Sequence, residues 1–156
     1  MKHSLLIFLF FMSIVGSVSS CDTNNDNPNT SKENNDNNTM MGSKIKIRIG
    51  SRIFTATLYD NATATAFKAQ LPMTIPMKEL NGDEKFYDLP ERLPTNASNP
   101  GTIQTGDLML FGSNTLVLFY KTFSTSYSYT KLGRIDNPSG LAAALGSGNA
   151  TVTFEL

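Results

Sequence analysis

The chain has 156 residues, and its 13 Lys and Arg balance its 13 Asp and Glu, for a formal net charge of zero. Such a balance offers no electrostatic footprint for nucleic acid or another polyanion. The single histidine, His3, and the single cysteine, Cys21, both lie near the N-terminus, so any folded domain beyond them must work without imidazole or thiol.

Met1, Lys2 and His3 make a short basic start, and Leu5 to Val15 is an apolar run too short for a permanent bilayer-spanning helix. This pattern predicts a signal peptide over residues 1–20. It runs into Val18-Ser19-Ser20-Cys21, which resembles the bacterial lipobox, where small residues precede a cysteine that is lipidated and becomes the new N-terminus. The resemblance implies that Cys21 carries a diacylglyceryl anchor and holds the protein on a bacterial cell-envelope membrane, facing the periplasm or the outside. Two or three acyl chains suffice for stable attachment. A free thiol behind an ordinary signal peptide is the alternative.

From Asp22 to about Gly42 the chain is Asn, Asp, Ser and Thr with almost no apolar residue, too little to offset the entropy of ordering. Residues 21–42 are therefore expected to form a tether. Residues 43–156 have the length of one domain with a single core. They contain neither His nor Cys. Ser-His-Asp and Cys-His catalysis, His or Cys zinc sites, and haem ligation by those residues are excluded there. Chemistry is left to carboxylates, Lys, Arg, Tyr or a hard metal ion; no cofactor is implied and no metal ligand set is assigned.

The domain reads mainly as strands. Lys44 to Ile49 alternates strictly, with Ile45, Ile47 and Ile49 on one face and Lys44, Lys46 and Arg48 on the other. Gly50-Ser51 predicts a hairpin turn, and the return strand to Tyr59 points Phe54, Ala56 and Leu58 inward. Asp60-Asn61 offers a cap for a short helix through Gln70, with Ala64, Phe67 and Leu71 on one face and Pro72 as the stop. Pro76 to Leu80, Asn81-Gly82, and Glu84 to Leu89 predict a second hairpin with a type I′ turn. Residues 96–104 read as a polar loop. Asp107 to Phe111 and Thr115 to Lys121 are continuously apolar strands, expected to be buried. The stretch "FSTSYSYTKLGRI", Phe123 to Ile135, reads as a further strand, Asn137-Pro138-Ser139 starts a helix that Gly146 stops, and Ala150 to Leu156 is the last strand.

Many short strands with two short helices predict a mainly β domain, closed into a barrel that leaves no exposed edge. The order of a hairpin ending in "FTATLYD", the helix "ATATAFKAQL", then "GDLMLFGSNTLVLFY", "KLGRI", the helix "SGLAAAL" and a last strand resembles the cyclophilin barrel. In particular it resembles the bacterial and archaeal cyclophilin-like family, some of whose members are lipoproteins. The likeness covers nearly all of residues 44–156 and implies a closed cyclophilin-like β-barrel of about eight strands with two short helices.

Prolyl isomerases of that fold carry a Phe-His-Arg-x-x-Pro-x-Phe segment, whose arginine weakens prolyl amide resonance against a barrier of about 18–20 kcal/mol. The nearest segment here is Phe86-Tyr87-Asp88-Leu89-Pro90, which puts Asp88 in the place of the arginine. Arg92 and Arg134 are the cations left to reach a groove from elsewhere, or to serve as structural ion partners. Glu79, Asp83, Glu84, Asp88 and Glu91 gather around the second hairpin among Lys78, Lys85 and Arg92, and read as an exposed face of mixed charge.

Leu132 points inward in the fold the chain resembles, and period two then sends Thr130, Ser128, Ser126 and Ser124 to the same side. Tyr129, Tyr127, Thr125 and Phe123 fall on the other, unless a bulge before Gly133 reverses the faces. The candidate groove residues are therefore Tyr127, Tyr129, Phe123, Arg92, Arg134 and Met109. These point to a lipid-anchored module that binds a peptide, a protein segment or a small ligand without turnover. The alternatives are a peptidyl-prolyl isomerase or foldase for exported chains, and a subunit of an envelope assembly.

Overall fold

The computed structural model describes residues 42–156. The expected leader, the anchor at Cys21 and the tether up to residue 41 lie outside the described residues. Strands β1 (Lys44–Ile49) and β2 (Arg52–Leu58) form the first hairpin, with Gly50 at φ 56° in its turn, and bury Ile45, Ile47, Ile49, Phe54, Ala56 and Leu58. Asn61 caps helix α1 (Ala62–Lys68), its side-chain oxygen accepting from the Ala64 N–H at 2.8 Å. The helix buries Ala64 and Phe67, and the Phe67 ring meets Phe154 edge-on at 5.6 Å.

Strands β3 (Met73–Leu80) and β4 (Glu84–Asp88) follow. Asn81 and Gly82 take φ 55° and 75°, as a type I′ turn requires, and the Asp83 N–H donates to the Leu80 carbonyl. The ladder resumes with Leu80 opposite Glu84, so Asp83 is an extra residue held at the turn. A short strand β5 (Thr102–Ile103) lies within the polar loop; β6 (Asp107–Phe111) and β7 (Thr115–Phe119) pair across the Gly112 turn. Next come β8 (Phe123–Ser124), β9 (Thr130–Ile135), helix α2 (Leu141–Leu145) and β10 (Ala150–Glu155).

Eight strands close in the order β1-β10-β3-β4-β7-β6-β9-β2, and every neighbouring pair is antiparallel. Strands β5 and β8 pair separately as a two-stranded sheet. The expected mainly β, closed barrel with two short helices is therefore present. The apolar runs of β6 and β7 are buried on both faces: Leu108, Leu110, Leu116 and Leu118 fill the barrel, while Met109, Val117 and Phe119 point outward into a second cluster with Ile103 and Tyr129. A sheet covered on both sides needs no alternation, which explains the continuous hydrophobicity.

The stretch 123–132 departs from the expected single strand. It breaks between Ser124 and Thr130 because its backbone groups find other partners. Thr125 N–H donates to the Gly101 carbonyl, Tyr127 N–H to the Thr125 hydroxyl, and Tyr129 exchanges both of its bonds with Ser98 at 3.0 Å. Ser124, Ser126 and Ser128, expected to face inward with Leu132, are exposed; of that set Thr130 alone is buried beside Leu132. A bulge is present just before Gly133, since Gly133 pairs with Leu108 and Lys131 with Met109, leaving Leu132 as the extra residue. It keeps Leu132 in the barrel rather than turning it out. Gly133 is required where β9 crosses close to β2: a Cβ there would lie 2.5 Å from the Thr57 carbonyl oxygen.

Candidate functional site

Alternation along β4 sends Lys85 and Tyr87 toward the barrel interior and Glu84, Phe86 and Asp88 to the outside. Outward residues of the adjacent strands, Thr115 and Val117 of β7 and Phe111 of β6, extend that surface. The segment from Phe123 to Tyr129 arches over it and leaves a cleft of about 560 Å³, a volume suited to a small molecule or a few side chains.

Five rings border the cleft: Phe86, Phe111, Phe123, Tyr127 and Tyr129. Tyr129 is the fixed one, 6% exposed and packed edge-on against Phe119 at 5.5 Å. Phe111 stands beside it at 5.6 Å and meets Tyr127 at 6.2 Å with the ring planes at 89°. Phe111 is 45% exposed and Tyr127 is 64% exposed, so these two rings form an open apolar corner.

Three carboxylates, Asp83, Glu84 and Asp88, also line the cleft, and among the described residues no lysine or arginine does. Burial, followed by the nearby charges of Asp83 and Glu79, pushes the Glu84 carboxyl up to about 7. Burial also raises the Tyr129 hydroxyl, with the Glu84 charge adding to it. Asp88 accepts a hydrogen bond from the Thr115 hydroxyl at 2.7 Å. The Oδ1 atom of Asp83 is buried with no hydrogen-bond partner among the described residues. Two lysines stand outside the lining. Lys78 Nζ lies 5.9 Å from the centre of the Phe86 ring, and Lys121 reaches the Asn81-Gly82 turn.

Behind this wall lies a second polar group. Lys85 is fully buried; its ammonium donates to Glu79 and to the carbonyls of Gly146 and Gly148 and sits 5.1 Å from the Tyr120 ring centre. Glu79 also accepts from the Tyr120 hydroxyl at 2.8 Å and the Gly82 N–H at 2.7 Å. Burial alone would raise the Glu79 carboxyl, but these donors and the Lys85 charge outweigh it and hold it below the ordinary value. Tyr120, buried and bonded to that carboxylate, is pushed up to about 12. The network ties the β3–β4 turn to the loop between α2 and β10.

Of the residues expected in a groove, Phe123, Tyr127 and Tyr129 line the cleft together. Met109 lies beneath them as packing for the outer aromatic cluster. Arg92 is exposed outside the lining, and Arg134 on β9 faces Asp107 at 3.5 Å. The hairpin acids are not one exposed mixed-charge face. Glu84, Asp83 and Asp88 border the cleft, Glu79 closes on buried Lys85, and Glu91 stays in solvent. Sequence reasoning missed Phe86, Phe111 and the carboxylates as cleft residues. The residues of "EKFYD" do not alternate in polarity, and with charged Lys85 inward beside Tyr87 the sequence carries no signal for which face of β4 looks out. Among the described residues no group of three or more His, Cys, Asp or Glu is arranged to hold a metal ion.

Comparison with known proteins matches residues 47–155 to a family model described as the cyclophilin-like family. Among solved structures, the chain is similar to the solution structure of a hypothetical protein from Archaeoglobus fulgidus. That likeness has 18% identity and a TM-score of 0.51, and covers 76% of this chain and 98% of the other. At this identity it speaks for the fold alone. No curated protein matches the chain.

Proposed function

The chain belongs to the cyclophilin-like family, and from that premise we propose that it is a binding module of the bacterial cell envelope, anchored through Cys21, which holds a peptide or small ligand in the aromatic cleft without turnover. One observation carries this reading: among the described residues the cleft is bordered by five rings and three carboxylates and by no basic side chain. Prolyl isomerisation in this fold needs a cationic donor at the prolyl amide as it loses resonance. Asp88, the residue that sequence likeness sets in the place of that donor, lies in the cleft with the opposite charge. Arg92 and Arg134 both lie outside the lining. The rings offer apolar area and edge-to-face geometry, which favours binding over bond rearrangement.

A coupled proline-isomerisation assay on the full chain tests the catalytic half. The expected result is no acceleration above the uncatalysed rate across a set of proline peptides. Acceleration comparable to a cyclophilin, lost on Arg92→Ala or Arg134→Ala, overturns the reading in favour of an isomerase for exported chains. The anchor is tested by labelling cells with a clickable fatty acid: label on the protein is expected, and its persistence in Cys21→Ser would exclude that anchor.

A further inference from the structure

We infer that the cleft receives a lysine or arginine side chain of a peptide partner, its aliphatic stem against Phe86 and Phe111 and its charge beside Glu84 and Asp83. This deepens the proposed function and rests on it. Charge complementarity sets the sign of the occupant, because all three charged lining residues are acidic. A cation brought there meets carboxylates on one side and ring faces on the other, and both attract it.

The register of β4 adds a length scale. Glu84, Phe86 and Asp88 occupy every second position of one strand, so a phenyl platform separates two carboxylates, each about 7 Å from it along the strand. A lysine or arginine stem is long enough to lie along such a platform with its head at one end. The Glu84 end is favoured, because Asp83 adds a second carboxylate there whose buried Oδ1 has no partner among the described residues. The chain's own Lys78 already sets an ammonium 5.9 Å from the centre of the Phe86 ring, from outside the lining.

Exposure decides between a free amine and a peptide. Phe111 and Tyr127 remain 45% and 64% exposed at the mouth. A small ammonium seated against the carboxylates leaves that apolar corner in water, whereas a peptide carrying the same cation covers it.

The test is a titration of the full chain, in detergent micelles, with the acetylated, amidated pentapeptides Ala-Leu-Lys-Leu-Ala, Ala-Leu-Gln-Leu-Ala and Ala-Leu-Glu-Leu-Ala, and with n-butylamine. Tyrosine fluorescence and calorimetry give the affinities. The lysine peptide is expected to bind about tenfold tighter than the glutamine peptide, the scale of one charge-assisted hydrogen bond. That preference should shrink with added salt and disappear in Asp83→Asn/Glu84→Gln. If that double variant fails to fold, Glu84→Gln alone is expected to reduce the preference, whereas Asp88→Asn, at the far end of the Phe86 platform, should leave most of it. Tyr127→Ala should weaken every peptide that binds. Equal or tighter binding of the glutamine or glutamate peptide, still weakened by Tyr127→Ala, overturns the cationic assignment and leaves the binding module standing. Butylamine binding as tightly as the lysine peptide overturns the peptide assignment. If none of the four probes binds, this inference and the peptide-binding reading fall together.

Discussion

Glu84 and Lys85 are adjacent in sequence, yet the pleat of β4 gives one to the cleft and the other to the barrel interior. Glu84 has its proton held to about 7 by burial and by the acids Asp83 and Glu79, against an ordinary value of 4.5. The unfolded chain therefore loses this proton first as pH rises. Between those values the folded state binds more protons, so the contribution of Glu84 to stability is fully present below about 4.5 and falls away up to about 7. Glu84→Gln has no proton to lose and should flatten that part of the curve. Urea midpoints across about pH 4 to 8 check this, and an unchanged slope in the variant would remove Glu84 as the cause. Lys85 instead has every ammonium contact inside the protein. Lys85→Met strands Glu79 beside an apolar neighbour, at an expected cost of about 3 kcal/mol, the low end for a broken buried pair. The low end applies because Tyr120 and Gly82 still donate to Glu79. Denaturation of Lys85→Met and of Glu79→Gln/Lys85→Met separates the stranded charge from the lost packing: only the former is relieved in the double variant.

At the scale of elements, the arch from Phe123 to Tyr129 joins two unlike anchors. Phe123 and Tyr129 pack on the outer cluster, while the residues between them are exposed apart from half-buried Thr125. Tyr129→Ala is therefore expected to cost about 3 kcal/mol, as for an aromatic ring removed from a core. Tyr127→Ala should change stability by less than about 0.5 kcal/mol. Chemical denaturation measures both, and equal costs for the two tyrosines would contradict this division. The same arch marks where sequence patterning fails. The first hairpin, the Asn61 cap and the Asn81-Gly82 turn were readable because each is decided locally, by alternation or by a residue that supplies its own hydrogen bond or positive φ. In "FSTSYSY" alternation continues, but the ladder does not. Ser98, Gly101 and the Thr125 hydroxyl, some nearby and some distant in sequence, take the backbone bonds that a strand partner would have made. The cleft was half legible for a related reason: three of its five rings came from the conspicuous tyrosine run, whereas Phe86, Phe111 and the acids depend on which faces of β4 and β6 a closed barrel turns outward.

For the whole molecule, the barrel has two cores of unequal security. The inner cluster is enclosed by eight paired strands, and closure leaves no edge from which fraying can start. The outer cluster rests on β4, β7 and β6 and, among the described residues, is covered by β5, β8 and the arch, whose sheet holds two residue pairs. Opening that cover exposes Tyr129, Phe119 and Val117 to water but breaks few backbone bonds, so it should cost far less than global unfolding, about 5–15 kcal/mol for a typical domain. Hydrogen exchange on the full chain should show two classes. Amides of Ile47, Leu118 and Val152, inside paired strands, should exchange only through global unfolding, with denaturant sensitivity to match. Amides of Thr125, Tyr127 and Tyr129 should exchange through a local opening that is almost insensitive to denaturant. A cleft ligand touches the arch and the barrel wall together, so it should slow the second class and leave the first limited by global unfolding plus the binding free energy. Equal protection of arch and barrel in the free protein would mean that the cover unfolds only with the whole, and that the cleft is a fixed surface rather than one that opens to admit a chain.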